Sequence, residues 1–101
     1  MKLLSIVKSP RSGKKWRALF EHTSDDATKR KTHFHTDFGA SGYTDYTMGA
    51  SAERARLYRQ RHEKDLKTNN PTKAGYLSYY LLWMSPNFQE NLRHYKNKFH
   101  L

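Results

Sequence analysis

Lys29-Arg30-Lys31-Thr32-His33-Phe34-His35-Thr36-Asp37-Phe38 alternates along its length, and Gly39-Ala40-Ser41-Gly42 breaks the pattern at once. Thr32, Phe34, Thr36 and Phe38 fall on one face of an extended segment, and Lys31, His33, His35 and Asp37 on the other. A period of two belongs to a strand with one face packed and the other wet. The same reading extends upstream. Trp16, Ala18 and Phe20 alternate with Lys15, Arg17, Leu19 and Glu21. Thr23–Thr28, containing Ser24-Asp25-Asp26, has the polar composition of a hairpin connection. Leu3–Val7 is apolar on both faces, which predicts a covered strand, and Ser9-Pro10-Arg11-Ser12-Gly13 reads as the turn after it. Residues 1–40 therefore predict a meander of three antiparallel strands, with an aromatic face turned to the core and a basic face turned out.

Downstream the period changes. Tyr43–Thr47 reads as an ordered loop. Ser51 is a candidate N-cap, with Glu53 in the first turn where the helix dipole favours a carboxylate. This helix should run to about Lys67 and end at Asn69-Asn70-Pro71. Leu57, Tyr58, Arg61, His62 and Leu66 share its inner side, and Arg56, Arg59, Gln60, Glu63 and Lys67 lie outward. Thr72–Met84 is apolar nearly all round, as a core helix is. Ser85-Pro86 predicts a restart, with Ser85 as the cap and proline at the first helical position. Phe88, Leu92, Tyr95 and Phe99 then form one apolar stripe, with Arg93, Lys96 and Asn97 off it. The expected architecture is α+β: a three-stranded antiparallel sheet (1–40) followed by three helices (51–101) in one compact domain spanning residues 1–101.

The 101 residues include 19 Lys+Arg, 9 Asp+Glu and no cysteine, a formal charge of +10. A disulfide scaffold and a cysteine zinc finger are excluded. No apolar run reaches the roughly 20 residues of a membrane span, and Met1–Val7 makes a poor signal peptide. Mean hydropathy is −1.04, yet aromatics make up 14% of the chain, far more than a disordered basic tail carries. The charge is clustered: Lys14, Lys15 and Arg17; Lys29, Arg30 and Lys31; Arg54, Arg56, Arg59 and Arg61; Arg93, Lys96 and Lys98. A positive field of this kind attracts polyanions, nucleic acid foremost.

Few constellations suggest catalysis. His33 and His35 share a strand face with Asp37, a weak metal pattern that needs a further ligand such as His22 or His62. There is no Gly-x-Ser-x-Gly elbow, no phosphate loop ending in Gly-Lys-Ser/Thr, and no cluster of carboxylates for a metal-dependent nuclease. The basic helix containing Arg54, Arg56, Arg59, Arg61 and Lys64 could track phosphates. Arg61 is expected to turn inward and pair with Asp45. The basic sheet face (Lys15, Arg17, Lys31, His33, His35) lacks the exposed aromatics of base-stacking surfaces, so it predicts backbone contact with weak sequence specificity.

A set of short signals adds a resemblance. These are Phe38-Gly39-Ala40, Gly42-Tyr43-Thr44-Asp45-Tyr46-Thr47, Arg54, Tyr58 with Arg61-His62, Thr72 with Ala74-Gly75-Tyr76-Leu77-Ser78, Leu82-Trp83, and Tyr95 with Phe99. Together, over residues 14–101, they resemble a family of small basic proteins of uncharacterised function from large DNA viruses of algae and amoebae. The helix start Ser51-Ala52-Glu53 departs from that pattern, which has a more charged start. The resemblance implies a viral protein carried in the particle or acting in the host cytoplasm or nucleus. It supplies no activity and no catalytic residues.

The expected function is that of a nucleic-acid-binding protein, not an enzyme, without a cofactor. It would hold phosphates, of DNA rather than RNA, through Lys14, Lys15, Arg17, Lys29, Arg30, Lys31, Arg54, Arg56 and Arg59, and would serve to package viral DNA. A minor capsid or cement protein contacting other virion proteins is the alternative, and a small nuclease using the histidines is a second one.

Overall fold

Alternation does place the aromatic side chains of two strands on one surface, beside Leu3 and Ile6 of a third. In the computed structural model, which describes residues 1–101, β1 (Lys2–Lys8), β2 (Lys14–Thr23) and β3 (Lys31–Ala40) form an antiparallel sheet in the order β1-β2-β3. The register sets Leu3 and Phe34 on either side of Phe20, Ile6 and Thr36 on either side of Ala18, and Phe38 opposite Trp16. Ala18, Phe20 and Phe38 are completely buried. The helices cover this face, as the sequence predicts: a three-stranded antiparallel sheet is followed by three helices in one compact domain.

Three details of the sheet depart from expectation. β1 is an edge strand and not a covered one. The register shifts between Leu3 and Ser5, and Leu4 and Val7 are exposed. An apolar run therefore marks β1 as a strand but does not tell which neighbours it has. The β2–β3 hairpin also outruns the helices. Phe34 stacks on Phe20 at 5.1 Å, yet stays 37% exposed, and every residue from Asp25 to His35 is exposed. The molecule is correspondingly long, 50 × 26 × 23 Å. Finally, β3 continues through Gly39 to Ala40. Gly39 does not break the strand. It adopts φ +80°, and a Cβ there would lie 2.9 Å from Leu82 Cδ1. Both the conformation and the close approach require glycine.

The helical half begins as predicted and then diverges. Ser51 Oγ accepts a hydrogen bond from the Arg54 amide at 3.1 Å and caps α1, which spans Ala52–His62. From Glu63 to Thr68 the chain tightens into a 3-10 run, closed by Asn69 at φ 54°. The predicted continuation of α1 to Lys67 is thus helical in a different geometry. Asn70 Oδ1 accepts from the Thr72 amide at 3.0 Å and starts the next segment. There α2 (Ala74–Leu77) passes without a break into a π turn, Ser78–Leu82. Leu77, Leu81 and Leu82 are buried against the sheet, and no helix of the protein is long and apolar enough to cross a membrane.

The third helix, α3, spans Phe88–Phe99 and is capped by Asn87, whose Oδ1 accepts from the Glu90 amide at 3.0 Å. Ser85 is not the cap because the helix starts two residues later than predicted; its hydroxyl accepts from the Asn87 amide at 3.2 Å and donates to Asn91 Oδ1 at 2.6 Å. The stripe is as expected: Tyr95 is fully buried, and Phe88, Leu92 and Phe99 are half-buried. The Tyr95 hydroxyl donates to the Pro71 carbonyl at 2.6 Å, and burial holds its pKa well above that of a free tyrosine.

Asn91 is the polar residue at the centre of this packing. Its Nδ2 donates to the carbonyls of Leu81 at 3.0 Å and Ser85 at 2.9 Å, satisfying acceptors at the end of the π turn. Replacing it should leave those buried carbonyls without that donor. Asn91→Ala is expected to cost about 1–3 kcal/mol, lowering the thermal midpoint by roughly 4–8 °C per kcal/mol in a domain of this size. Differential scanning calorimetry measures this directly.

Candidate nucleic-acid interface

Asp45 is 1% exposed, and its carboxylate organises the junction between sheet and helices. Oδ1 accepts from the Thr47 amide at 2.9 Å and from the Thr47 hydroxyl, capping the 3-10 turn Tyr46–Met48. Oδ2 accepts from Lys15 Nζ at 2.7 Å. A partly buried cation on β2 thereby anchors the loop that leads into α1. This pairing corrects one expectation: Lys15, not Arg61, neutralises Asp45, and Arg61 is exposed.

The outer sheet face is likewise less cationic than its sequence. Arg17 grips Asp37 with two parallel bonds, Nε to Oδ1 at 2.9 Å and Nη2 to Oδ2 at 3.1 Å, and Ser9 Oγ adds a third at 2.9 Å. Hydrogen bonding to Arg17, ahead of that to Ser9, lowers the Asp37 pKa to about 2. His33 lies 3.2 Å from Glu21, and Lys31 lies 3.9 Å from the same carboxylate. His35 faces Asp37 at 3.8 Å. Each histidine thus meets a different carboxylate, and no group of three or more His, Asp or Glu converges anywhere in the chain. His62, proposed as a further ligand, pairs with Asp65 at 3.0 Å on the other side of the fold.

On α1 the nominated arginines separate. Arg56 is taken up by Glu53 one turn earlier, at 2.7 Å. Arg59 points inward and not outward: its Nη1 donates to the Trp83 carbonyl at 2.7 Å, tying α1 to the end of the π turn. Arg54 and Arg61, two turns apart, are exposed and have no carboxylate partner. Lys14 at the start of β2 is also unpaired, as are Lys29 and Arg30 at the exposed tip of the β2–β3 hairpin.

Arg54 and Arg61 stand at a cleft of about 680 Å³. Its α1 wall also carries Leu57, Tyr58 and His62, its opposite wall Ser78, Leu82 and Trp83, and its sheet end Lys15, Gly39 and Ala40, with Tyr43 from the following loop. Tyr58 is sandwiched, with Trp83 at 4.3 Å on one side and His62 at 4.1 Å on the other. Burial, the main cause, raises the Tyr58 pKa above that of a free tyrosine. Tyr43 is 66% exposed and Leu57 42% exposed. All the lining residues except Lys15 and Leu57 belong to the short signals quoted above; what those signals could not show was that they converge. A second concavity, lined by Gln60, Arg61, Lys64 and Lys67 among others, shares Arg61 with the first.

The sheet and α1 together define a known kind of segment. Residues 4–62 match a family of unknown function, DUF5754, and the chain belongs to that family. The match runs from β1 to the last residue of α1, so it includes every cleft residue except Ser78, Leu82 and Trp83. No curated protein and no solved structure matches the chain.

The Arg17–Asp37 pair carries a pH signature. Because the carboxyl pKa is lowered in the folded protein, the stability the pair contributes is fully present above about pH 4. It is lost as the pH falls toward 2. Arg17→Ala should return the Asp37 pKa toward the ordinary carboxylate value, as read by an NMR titration of its carboxyl carbon.

Proposed function

We propose that this protein binds nucleic acid by gripping the phosphate backbone with little regard to sequence. The observation that carries this reading is the distribution of cations without a carboxylate partner. Arg54 and Arg61 lie on one side of α1, about 10 Å apart along its axis at the ordinary helical rise. Lys64 and Lys67 continue the strip into the 3-10 run, and all four are exposed. Lys29 and Arg30 add a second positive point at the hairpin tip. Phosphate contacts made by such side chains fix position and supply salt-dependent affinity without base information.

This reading relocates the interface. Lys15, Arg17 and Arg59 join elements of the fold and Arg56 is occupied by Glu53 on the surface of α1, and all four are withdrawn from the phosphate-binding set. Lys14, Lys29, Arg30 and Arg54 stay in it, Lys31 is weakened as a candidate by its pairing with Glu21, and Arg61, Lys64 and Lys67 join them.

The distinction is measurable. If about five phosphates are neutralised on duplex DNA, log K should fall against log salt with a slope of about −4.5. Arg54→Ala combined with Arg61→Ala should reduce the magnitude of that slope by about 2. Arg56→Ala, which removes a charge already held by Glu53, should leave the slope nearly unchanged. Filter binding across a salt series tests all three. Absence of duplex binding at low salt would sink the proposal.

A further inference from the structure

We infer that the cleft between α1 and the π turn is a nucleotide site, taking one unpaired base together with its phosphate, either free or within a strand. The strand form rests on the backbone-binding reading above; the free form does not.

A grip on phosphates alone needs no aromatic lining, yet this cleft has one. Trp83, Tyr58 and His62 form a nearly parallel column, with interplanar angles of 10° and 22°. The column ends at His62, whose second face has no ring against it. Tyr43 lines the same cleft and makes no ring contact at all, although two thirds of it is exposed. Leu57 adds apolar surface beside it. Flat, uncovered π and apolar surface at this point is set between two arginines that no carboxylate neutralises.

Few ligand classes answer both features. An inorganic polyanion would satisfy Arg54 and Arg61 but leave the rings bare. A purely apolar molecule would fill the rings and leave the arginines unmatched. A nucleotide offers a planar base for stacking and an anionic group for the guanidiniums. The volume of about 680 Å³ falls within the usual range for small-ligand sites.

The backbone supports the same conclusion. π turns recur at functional sites because the extra residue redirects side chains. Here the turn delivers Ser78 and Leu82 to the cleft and is followed directly by Trp83. Arg59 then holds the Trp83 carbonyl in place.

The test uses the full chain carrying Trp16→Phe, which leaves Trp83 as the only tryptophan. The probes are adenosine monophosphate, a single strand of 12 deoxyadenosines, its 12-base-pair duplex and inorganic polyphosphate. Adenosine monophosphate should change Trp83 fluorescence, and polyphosphate should not reproduce that change. The single strand should bind more tightly than the duplex at equal salt. Tyr43→Ala, at an exposed position, should lower single-strand affinity about 5- to 100-fold and shrink the ratio of single-strand to duplex affinity. A silent Trp83 with adenosine monophosphate, together with an unaltered single-strand affinity in Tyr43→Ala, overturns the nucleotide site. If strand and duplex still bind equally in that case, backbone binding survives without it. If neither binds at low salt while the monophosphate still shifts Trp83, the backbone reading falls and the cleft is a site for free nucleotides.

Discussion

The ion pair between Lys15 and Asp45 is the constraint around which the rest is arranged. It joins the beginning of β2 to the loop ahead of α1, two segments thirty residues apart. Desolvation of the charges is offset because the carboxylate also accepts two hydrogen bonds from Thr47. With Asp45 held, the 3-10 turn Tyr46–Met48 has a fixed start, Ser51 is positioned to cap α1, and α1 lies beside the sheet end instead of swinging free.

A second consequence concerns charge. A formal +10 suggests a uniformly adhesive surface, but the folded chain sorts its cations by role. Arg17 spends its fork on Asp37 and Arg59 on a backbone carbonyl, both geometries suited to a planar guanidinium. Among the cations left without a carboxylate partner, which include Lys2, Lys8, Arg11, Lys14, Lys73, Lys96 and Lys98, the proposed interface uses chiefly a strip along α1 and a separate point at the hairpin tip. A partner binding both must follow the long dimension of the molecule.

The sheet was legible in the sequence because a period of two has a direct physical meaning: Phe20, Phe38 and Ala18 could only share a face. The stripe on α3 was legible for the same reason at a different period. Residue pairing was not. Nothing local distinguishes Lys15 from Arg61 as the partner of Asp45, since the choice depends on how β2 and α1 are brought together. Asn91 looked like any polar residue between stripe positions; its role follows from carbonyls that the π turn leaves at its end. The π turn itself is invisible in Thr72–Met84, where apolar residues on every side give no phase to read. Arg54, Tyr58, Arg61, His62 and Trp83 were each singled out, yet their meeting in one cleft is a property of the fold.

That π turn makes the cleft depend on backbone winding as much as on chemistry. An α-helix turns about 100° per residue. Five residues here fill roughly the turn that four fill in an α-helix, so winding Ser78–Leu82 as α-helix at its present length would rotate everything beyond it by roughly a quarter turn relative to α2. Trp83 would leave Tyr58, and its carbonyl would leave Arg59, with no side chain altered in kind. The aromatic wall is therefore encoded in how five residues are wound: α winding at full length would turn Trp83 away, whereas removing one residue and restoring α geometry would leave it in nearly its present direction.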